Sequence, residues 1–431
     1  ISIFNGNLVL DKTNTRFNLP AGNYDLQLGR DGYRAWQRKF ELQGSAIERF
    51  NYPMLIPKDL SEKQVDTNAT MGFLYSQSPD RKWLVTSENP ELTSIKEYNL
   101  VDFTANKLPK TRSFAVPAGV FTKATTANKF EVVEWSNNNA DFLVKHIYDG
   151  KTEFALVNRD EPTKSFNLKT LIGTDGEITL LDKTADKFLV LNKATGSLTQ
   201  VNKKDNKSTQ LLTGVLNYKS HGDDKILFAR VSPHDKTKAL ISLLDNDKTY
   251  DVREIPLSEN LPLDIASFDS MWYLAVGSEK EARTYIYEDF VKKSKGNPVT
   301  PVGPIRVIKN NMSASLKVGF SKNVRFISSF AGNDVSVYDL EDNRSYRYKI
   351  DGIIPVGDAP AWMDGHRLVM SVNGQSVMVD FEGSNKQVLT SLPSSKNIFF
   401  DRDYENYYTI VSADAVTYKL GQVALRTSAD Q

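Results

Sequence analysis

The stretch LKVGFSKNVRFI, residues 316–327, contains two short apolar runs separated by a polar turn. It is followed by SVYDL (336–340) and SYRYKI (345–350), with Glu-Asp-Asn as turn residues between them. Short alternating runs bounded by Asp, Asn and Gly are typical of antiparallel hairpins. Residues 316–350 therefore predict one four-stranded antiparallel sheet.

The first half of this pattern recurs along most of the chain. The eight segments that carry it are FLYSQSPDRKWLV (73–85), VVEWSNNNADFLV (132–144), TLLDKTADKFLV (179–190), LNYKSHGDDKILF (216–228), DIASFDSMWYLAV (264–276), LKVGFSKNVRFI (316–327), PAWMDGHRLVM (360–370) and IFFDRDYENYYTI (398–410). Their mean spacing is about 46 residues, and periods of about 40–50 residues with four strands each are typical of β-propeller blades. We therefore predict an all-β protein with a β-propeller over residues 71–431.

A closed ring explains how such sheets are buried. A four-stranded sheet with two apolar faces must pack both of them, and radial stacking buries each face against a neighbour. Closure also leaves only short outer edges, which limits pairing with other chains. The eight segments favour eight blades, and seven is the alternative if the first or last segment shares a blade where the ring closes.

The first part of the chain follows a different pattern. In FNLPAGNYDLQLGRDGYRAWQRKFEL (17–42), a Pro-Gly turn precedes Tyr24, Leu26 and Leu28, which alternate with polar residues as in a half-buried strand. A second turn and a second alternating run complete a hairpin. Because two strands alone are only marginally stable, more strands are required.

Further strands are predicted at Asn7–Leu10 and Ile47–Leu55, so that residues 1–57 form a small β-sandwich. The next stretch, KDLSEKQVDTNAT (58–70), is polar and lacks apolar alternation. It predicts a linker with one short helical turn at Leu60–Gln64.

Composition narrows the class of partner. The chain has 54 basic and 53 acidic residues, a net charge of +1, which argues against nucleic acid or an anionic membrane as the main partner. It has no cysteine, which excludes disulfides and thiolate metal sites. No run approaches the roughly 18 apolar residues of a transmembrane helix. Because the chain starts at Ile1 inside a predicted strand, we expect a signal or membrane anchor upstream of it.

The N-terminal hairpin resembles a known family. The residues that carry the resemblance are LPAGNY (19–24), DGY (31–33), Trp36, Phe40 and Leu42, and they resemble a PEGA domain. The resemblance covers residues 1–57, although the family's first strand would precede this sequence.

PEGA domains are known mostly from bacterial and archaeal cell-surface or envelope proteins, often after a membrane anchor. The resemblance therefore implies an extracytoplasmic envelope protein that meets the membrane only through an N-terminal transmembrane helix. The rest of the chain is similar to bacterial β-propellers, and SPD (78–80) resembles the Ser-Pro-Asp-Gly turn of envelope propellers.

Signatures of catalysis are missing from the sequence. It contains neither the Gly-x-Ser-x-Gly nucleophile turn nor the His-Glu-x-x-His or Gly-x-x-x-x-Gly-Lys motifs. The four histidines, His146, His221, His234 and His366, are dispersed along the predicted blades, and the five tryptophans fall at positions typical of packing. We expect no catalytic residue, metal or cofactor. Paired carboxylates that cleave glycans have no sequence signature, so their presence stays open.

Candidate binding residues come from the loops at one end of the predicted channel. These loops enter the innermost strands or join second to third strands, and the longest insertion is Val116–Lys129. The candidates are Phe121, Lys123, His234, Asn310, Asn311 and Asp358.

These features predict a non-enzymatic envelope protein whose propeller is a binding platform for a protein or a cell-surface glycan. Two alternatives remain: a glycan-active hydrolase or lyase, and a self-assembling surface-layer component.

Overall fold

The computed structural model describes residues 1–425 apart from residues 7, 69–73, 102–108, 127, 174–175, 297–300, 312–313, 356–358, 391–397 and 413–417. The described residues form nine four-stranded sheets, all with antiparallel pairing between neighbouring strands. The prediction of an all-β chain is therefore confirmed.

The N-terminal sheet has the strand order β2-β1-β3-β4. The strands that precede the repeating part are β1 (Ser2–Asn5), β2 (Leu8–Lys12), β3 (Gly22–Gly29), β4 (Trp36–Leu42) and β5 (Glu62–Asn68).

The other eight sheets are numbered 1 to 8 along the chain. Sheets 1 to 4 consist of β6 (Tyr75–Gln77), β7 (Trp83–Ser87), β8 (Ser94–Asn99) and β9 (Lys110–Ala115); β10 (Asn128–Trp135), β11 (Asp141–Tyr148), β12 (Lys151–Asn158) and β13 (Phe166–Asn167); β14 (Glu177–Leu180), β15 (Lys187–Asn192), β16 (Ser197–Asn202) and β17 (Lys207–Leu212); and β18 (Val215–His221), β19 (Lys225–Val231), β20 (Lys238–Asp245) and β21 (Lys248–Pro256).

Sheets 5 to 8 follow. They consist of β22 (Leu263–Phe268), β23 (Met271–Ser278), β24 (Arg283–Glu288) and β25 (Arg306–Lys309); β26 (Leu316–Phe320), β27 (Phe326–Ala331), β28 (Asp334–Asp339) and β29 (Arg344–Lys349); β30 (Ala361–Trp362), β31 (Arg367–Val372), β32 (Gln375–Asp380) and β33 (Gln387–Thr390); and β34 (Ile398–Phe400), β35 (Asn406–Ser412), β36 (Tyr418–Ala424) and β5. The short α-helices are α1 (Lys169–Ile172) and α2 (Phe290–Gly296), and the 3₁₀ turns are Pro162–Lys164 and Leu181–Lys183.

The fourth strand of sheet 8 comes from the other end of the chain. Strand β5 pairs with β36, with Glu62 opposite Val423 and Asp66 opposite Leu420. The predicted linker over 58–70 and its helical turn are therefore wrong. The sequence of β5 shows no apolar alternation because an outermost strand is largely exposed, and Val65 packs against the cluster beneath it.

Consecutive sheets pack face to face. Separate hydrophobic clusters bridge sheets 1 and 2, 2 and 3, 3 and 4, 4 and 5, 5 and 6, 6 and 7, and 7 and 8. A further cluster joins sheet 8 to sheet 1, where Tyr408 and Leu420 pack with Leu84 and Tyr98. The second strands are almost fully buried, and fourth strands such as β29 are largely exposed. The sheets therefore share their cores as a closed series.

Two tryptophans pack between neighbouring sheets, as their sequence positions predict. Trp135 of sheet 2 donates its ring N–H to the Ser76 hydroxyl of sheet 1 at 2.9 Å. Trp362 of sheet 7 makes the same kind of hydrogen bond to Ser328 of sheet 6, at 3.0 Å. Each bond satisfies a buried indole N–H, which would otherwise cost free energy.

The N-terminal sheet packs on sheets 6 and 7. Leu26, Leu28 and Trp36 lie on one face of the sheet and join the cluster that bridges those two sheets. Ile47–Leu55 forms no strand, so the predicted sandwich of residues 1–57 is corrected to a single sheet. Its second layer is the neighbouring pair of sheets, which buries the apolar face that the alternation predicts.

Antiparallel pairing gives the series two ends. The loops between sheets, and those joining second to third strands, lie at one end, called here the loop end. The turns between first and second strands, and between third and fourth strands, lie at the other, the turn end. The N-terminal sheet contacts the turn end, because Trp36 and Gln37 bind Asp380 and Asn385 at the β32–β33 turn.

Candidate binding site at the loop end

The predicted binding residues that the structure describes all lie at the loop end. Phe121 and Lys123 are in the loop before β10, His234 is in the β19–β20 loop, and Asn310 and Asn311 are in the loop before β26. The sixth candidate, Asp358, lies outside the described residues.

The long loop before β10 is fixed to its own sheet. Glu153 of β12 accepts hydrogen bonds from the Thr122 backbone N–H at 2.7 Å and from the Thr122 hydroxyl at 2.8 Å. Asp149 accepts four more, from the backbone and hydroxyl groups of Thr125 and Thr126. These bonds hold the pKa of the Asp149 carboxyl well below its usual range. The loop is thus held in a defined position at the loop end.

Beneath that loop lies a buried polar pair. His146 Nδ1 is 2.8 Å from Glu153 Oε1, and both side chains are almost fully buried. The ring is stacked on Phe130 at 4.3 Å and meets the edge of Phe121 at 5.6 Å. Burial raises the pKa of Glu153, but its hydrogen bonds to His146, Thr122 and Asn167 lower it more. Of the two candidates in this loop, Phe121 therefore packs over the pair and Lys123 is exposed.

The other candidates have local structural partners. Asn310 is 9% exposed and accepts a hydrogen bond from the Ser329 hydroxyl at 2.9 Å. Asn311 is exposed, with its amide 3.2 Å from Asp334. The His234 backbone N–H donates to the Ser232 hydroxyl, which is the turn role that the sequence indicates. The structure places these residues at one end, but it does not bring them into one pocket.

A cleft of about 880 Å³ opens at the same end, between sheets 3, 4 and 5. The loop 257–261 forms its centre, and Lys193, Asn217, Glu279 and Lys280 line the sides. Sequence reasoning missed this cleft because LSENL (257–261) is a short, ordinary connection, and the other lining residues come from distant positions. We call it the loop-end cleft.

One wall of the loop-end cleft is held in place by hydrogen bonds to Glu279. Its Oε1 accepts from the Asn260 amide at 2.6 Å, the Ser315 hydroxyl at 2.7 Å and the Leu316 N–H at 2.8 Å. Burial raises the pKa of Glu279, and these three bonds lower it below its usual value. Asn217 adds a bond from its amide to the Leu261 carbonyl at 2.8 Å.

The rim of the cleft carries mixed charge. Lys193, Glu259 and Lys280 are exposed there. Lys193 lies 3.3 Å from Glu177, an exposed pair that contributes little stability. The rim therefore offers both ammonium donors and carboxylate acceptors to a ligand.

The described residues contain neither a cluster of metal ligands nor a membrane-spanning helix. Within the described residues, no group of three or more His, Asp or Glu side chains is arranged to hold a metal ion. In the same part of the chain, no helix is long and apolar enough to cross a membrane.

Comparisons with known proteins identify the fold and no family. No protein-family model and no curated protein matches the sequence. Among solved structures, the Dos1 propeller matches with a TM-score of 0.52 and 12% identity, over 85% of this chain and 96% of that one. The fold is that of a β-propeller.

Two further structures are matched over 85% of this chain. Saccharomyces cerevisiae Sqt1 has a TM-score of 0.49 at 10% identity, over 98% of its own chain. An oligogalacturonate lyase in complex with manganese has a TM-score of 0.43 at 11% identity, over all of its chain. At these TM-scores neither match supports a further conclusion.

Proposed function

We propose that this protein is a non-enzymatic binding platform, an eight-bladed propeller that holds a segment of a partner protein in the loop-end cleft. The observation that carries the proposal is that the two ends of the ring differ: one is partly covered and the other is open. The N-terminal sheet packs at the turn end, and the loop end carries an open cleft of about 880 Å³. A cleft of this size is typical of a ligand site.

Eight blades account for the packing of the sheets. Eight four-stranded sheets follow each other, and the eighth packs on the first. Strand β5 completes the last sheet from the N-terminal side of the ring.

A polypeptide suits the lining of the cleft. Loop 257–261 lies beside exposed lysines and a glutamate, so the cleft can pair with charges of both signs, which the side chains of a polypeptide supply. Glu279, the carboxylate in its wall, already binds three donors, and its lowered pKa is the opposite of what a general acid for glycan cleavage requires. Binding is therefore favoured over glycan-active chemistry.

We further propose that the N-terminal sheet is a PEGA-like spacer of an extracytoplasmic envelope protein anchored upstream of Ile1. Its docking at the turn end supports this arrangement, because an anchor on that side leaves the loop end facing a partner. Protease treatment of intact cells and of spheroplasts carrying the full-length gene product tests it. Degradation only after the outer barrier is opened is expected for an envelope protein, and protection in spheroplasts would contradict the proposal.

The binding proposal is tested by charge reversal at the rim of the cleft. The double variant Lys193→Glu and Lys280→Glu changes two exposed residues. The matched control reverses Lys12 and Lys39, which are exposed on the N-terminal sheet. Purified variants are used to capture partners from envelope extracts, with quantitative mass spectrometry as the readout.

A partner protein retained by the wild type and the control, but lost by the cleft variant, is the expected result. Equal recovery of every protein by all three would refute the proposal. Recovery of only the chain itself would indicate self-assembly instead.

A further inference from the structure

A second cleft lies at the turn end, between sheets 4 and 5. It has a volume of about 430 Å³, within the usual range of small-molecule sites. Its floor is apolar and contains Leu243, Ile265 and Leu274, and helix α2 covers one side. This turn-end cleft is separate from the loop-end cleft, and nothing in the proposed function uses it.

Trp272 is the aromatic residue of the turn-end cleft. Trp135 and Trp362, described above, pack between neighbouring sheets. Trp272 is partly exposed and lines the turn-end cleft. The His221 ring meets it edge-on at 5.0 Å, and the ammonium of Lys225 lies 4.6 Å from its ring centre. These contacts fix the orientation of the indole, so a ligand ring would meet a preorganised surface.

The acidic groups of the turn-end cleft are already engaged. Asp245 lies 3.0 Å from the ammonium of Lys225, which Asp224 also contacts at 2.6 Å. Asp289 accepts a hydrogen bond from the Trp272 backbone N–H at 2.9 Å. Asp224 and Asp245 thus neutralise the charge of Lys225, and Asp289 binds a backbone N–H.

Two cations at the rim of this cleft have no such balance. Lys292 and Lys295 are exposed on helix α2, and within the described residues neither forms an ion pair. Their neighbour Lys293, by contrast, is paired with Glu288 at 2.6 Å. The Lys295 ammonium lies 5.7 Å from the centre of the Tyr250 ring, a contact that leaves its charge unneutralised. An apolar floor with ammonium groups at its rim that form no ion pair is complementary to a ligand with a ring at one end and a negative charge at the other.

We propose that the turn-end cleft binds small aromatic carboxylates, with the ring against Trp272 and the carboxylate at Lys292 and Lys295. The apolar floor excludes water from the ring, and the ammonium groups supply charge-assisted hydrogen bonds to the carboxylate. The cleft is large enough for one such molecule.

The proposal is tested by ¹⁹F NMR of the whole chain labelled with 5-fluorotryptophan. The chain has five tryptophans, and the Trp272→Phe variant assigns the relevant signal. Titration with 3-phenylpropionate is expected to shift the Trp272 signal saturably and to leave that of Trp135, buried between sheets 1 and 2, unchanged. The neutral amide, 3-phenylpropionamide, provides the matched ligand control and is expected to bind at least about tenfold more weakly.

The lysines are tested by the double variant Lys292→Gln and Lys295→Gln, which changes exposed side chains only. It is expected to raise the dissociation constant at least about tenfold. The same change at Lys193 and Lys280, at the other end, is expected to leave it unaltered. The proposal is overturned if the acid and the amide bind equally, if the variant binds like the wild type, if all five signals shift together, or if none moves.

Discussion

Replacing Asp380 by Asn removes a buried charge from the contact between the N-terminal sheet and sheet 7. Asp380 Oδ2 accepts hydrogen bonds from the Trp36 indole N–H at 2.7 Å and from the Asn385 amide at 2.8 Å, and its side chain is 1% exposed. Burial raises the pKa of Asp380 to about 7. Arg367, with its Nε 3.6 Å away, opposes that rise, and Glu382 adds to it.

The sign of the effect follows from the two pKa values. Detachment of the N-terminal sheet hydrates this carboxyl and lowers its pKa towards the ordinary value of 3.8, so the docked state binds more protons within the window from about pH 4 to 7. Docking is therefore strongest at low pH and weakens as pH rises through that window. The loss is about 1.4 kcal/mol per pH unit and about 4 kcal/mol in total, and it levels off above pH 7.

A second group at this contact has the opposite dependence. The His366 ring is stacked on Tyr52 at 5.0 Å, and burial lowers its pKa to about 4. A histidine held neutral stabilises docking as pH rises from about 4 to 6.5, which masks part of the Asp380 effect in the wild type. The comparison with Asp380→Asn removes this contribution because His366 is present in both proteins.

Hydrogen exchange of the β3 and β4 amides, followed by mass spectrometry from pH 4 to 8, measures detachment directly. The protection factor of Asp380→Asn, divided by that of the wild type, is expected to rise about tenfold per pH unit up to about pH 7 and then to stay constant. Amides of sheets 2 and 3, far from this contact, serve as the internal reference. A ratio that is independent of pH, or one that falls as pH rises, would refute the assignment of a raised pKa to a docked Asp380.

Other perturbations address the ring itself. Glu153→Gln is expected to cost about 3 kcal/mol of stability, because it breaks the buried pair with His146 and weakens the attachment of the loop before β10. Thermal unfolding measures this loss. A much smaller loss is expected for the variant Asp149→Asn, whose side chain is partly exposed. Gly196→Ala is expected to lower the melting temperature, since its φ is +68° and the new Cβ would lie 2.8 Å from the backbone of Gly214, in the loop between sheets 3 and 4. Deletion of residues 1–57 is expected to leave a monomeric ring, whereas deletion of residues 1–68 removes β5 and should give aggregates in size-exclusion chromatography.

The repeating sheets could be predicted because each one carries its own signal. Second strands such as FISSFA (326–331) are buried on both faces and contain no charged residue, and Asn, Asp and Gly mark the turns. Strand β5 gave no signal, because an exposed outer strand has no apolar face to record. In the N-terminal sheet, alternation identified the buried face correctly. It could not identify what covers that face, since the covering residues lie in sheets 6 and 7.

The two clefts could not be predicted, for a related reason. Asn217, Asn260 and Glu279 lie on three separate elements, and only the packing of sheets 3, 4 and 5 brings them together. Each one read alone is an ordinary polar residue near a turn. Trp272 was expected to be a packing residue from its strand position, and it packs against the cluster between sheets 4 and 5, but it also lines the turn-end cleft.

The pairing of β5 with β36 sets the order in which this chain can mature on the ribosome. Residues 62–68 leave the ribosome well before their partner, residues 418–424. The N-terminal sheet is also made before the surface that covers it, which comes from residues 326–381. These strands are thus synthesised long before the residues that they pair with or pack on, and until then they depend on remaining soluble without partners.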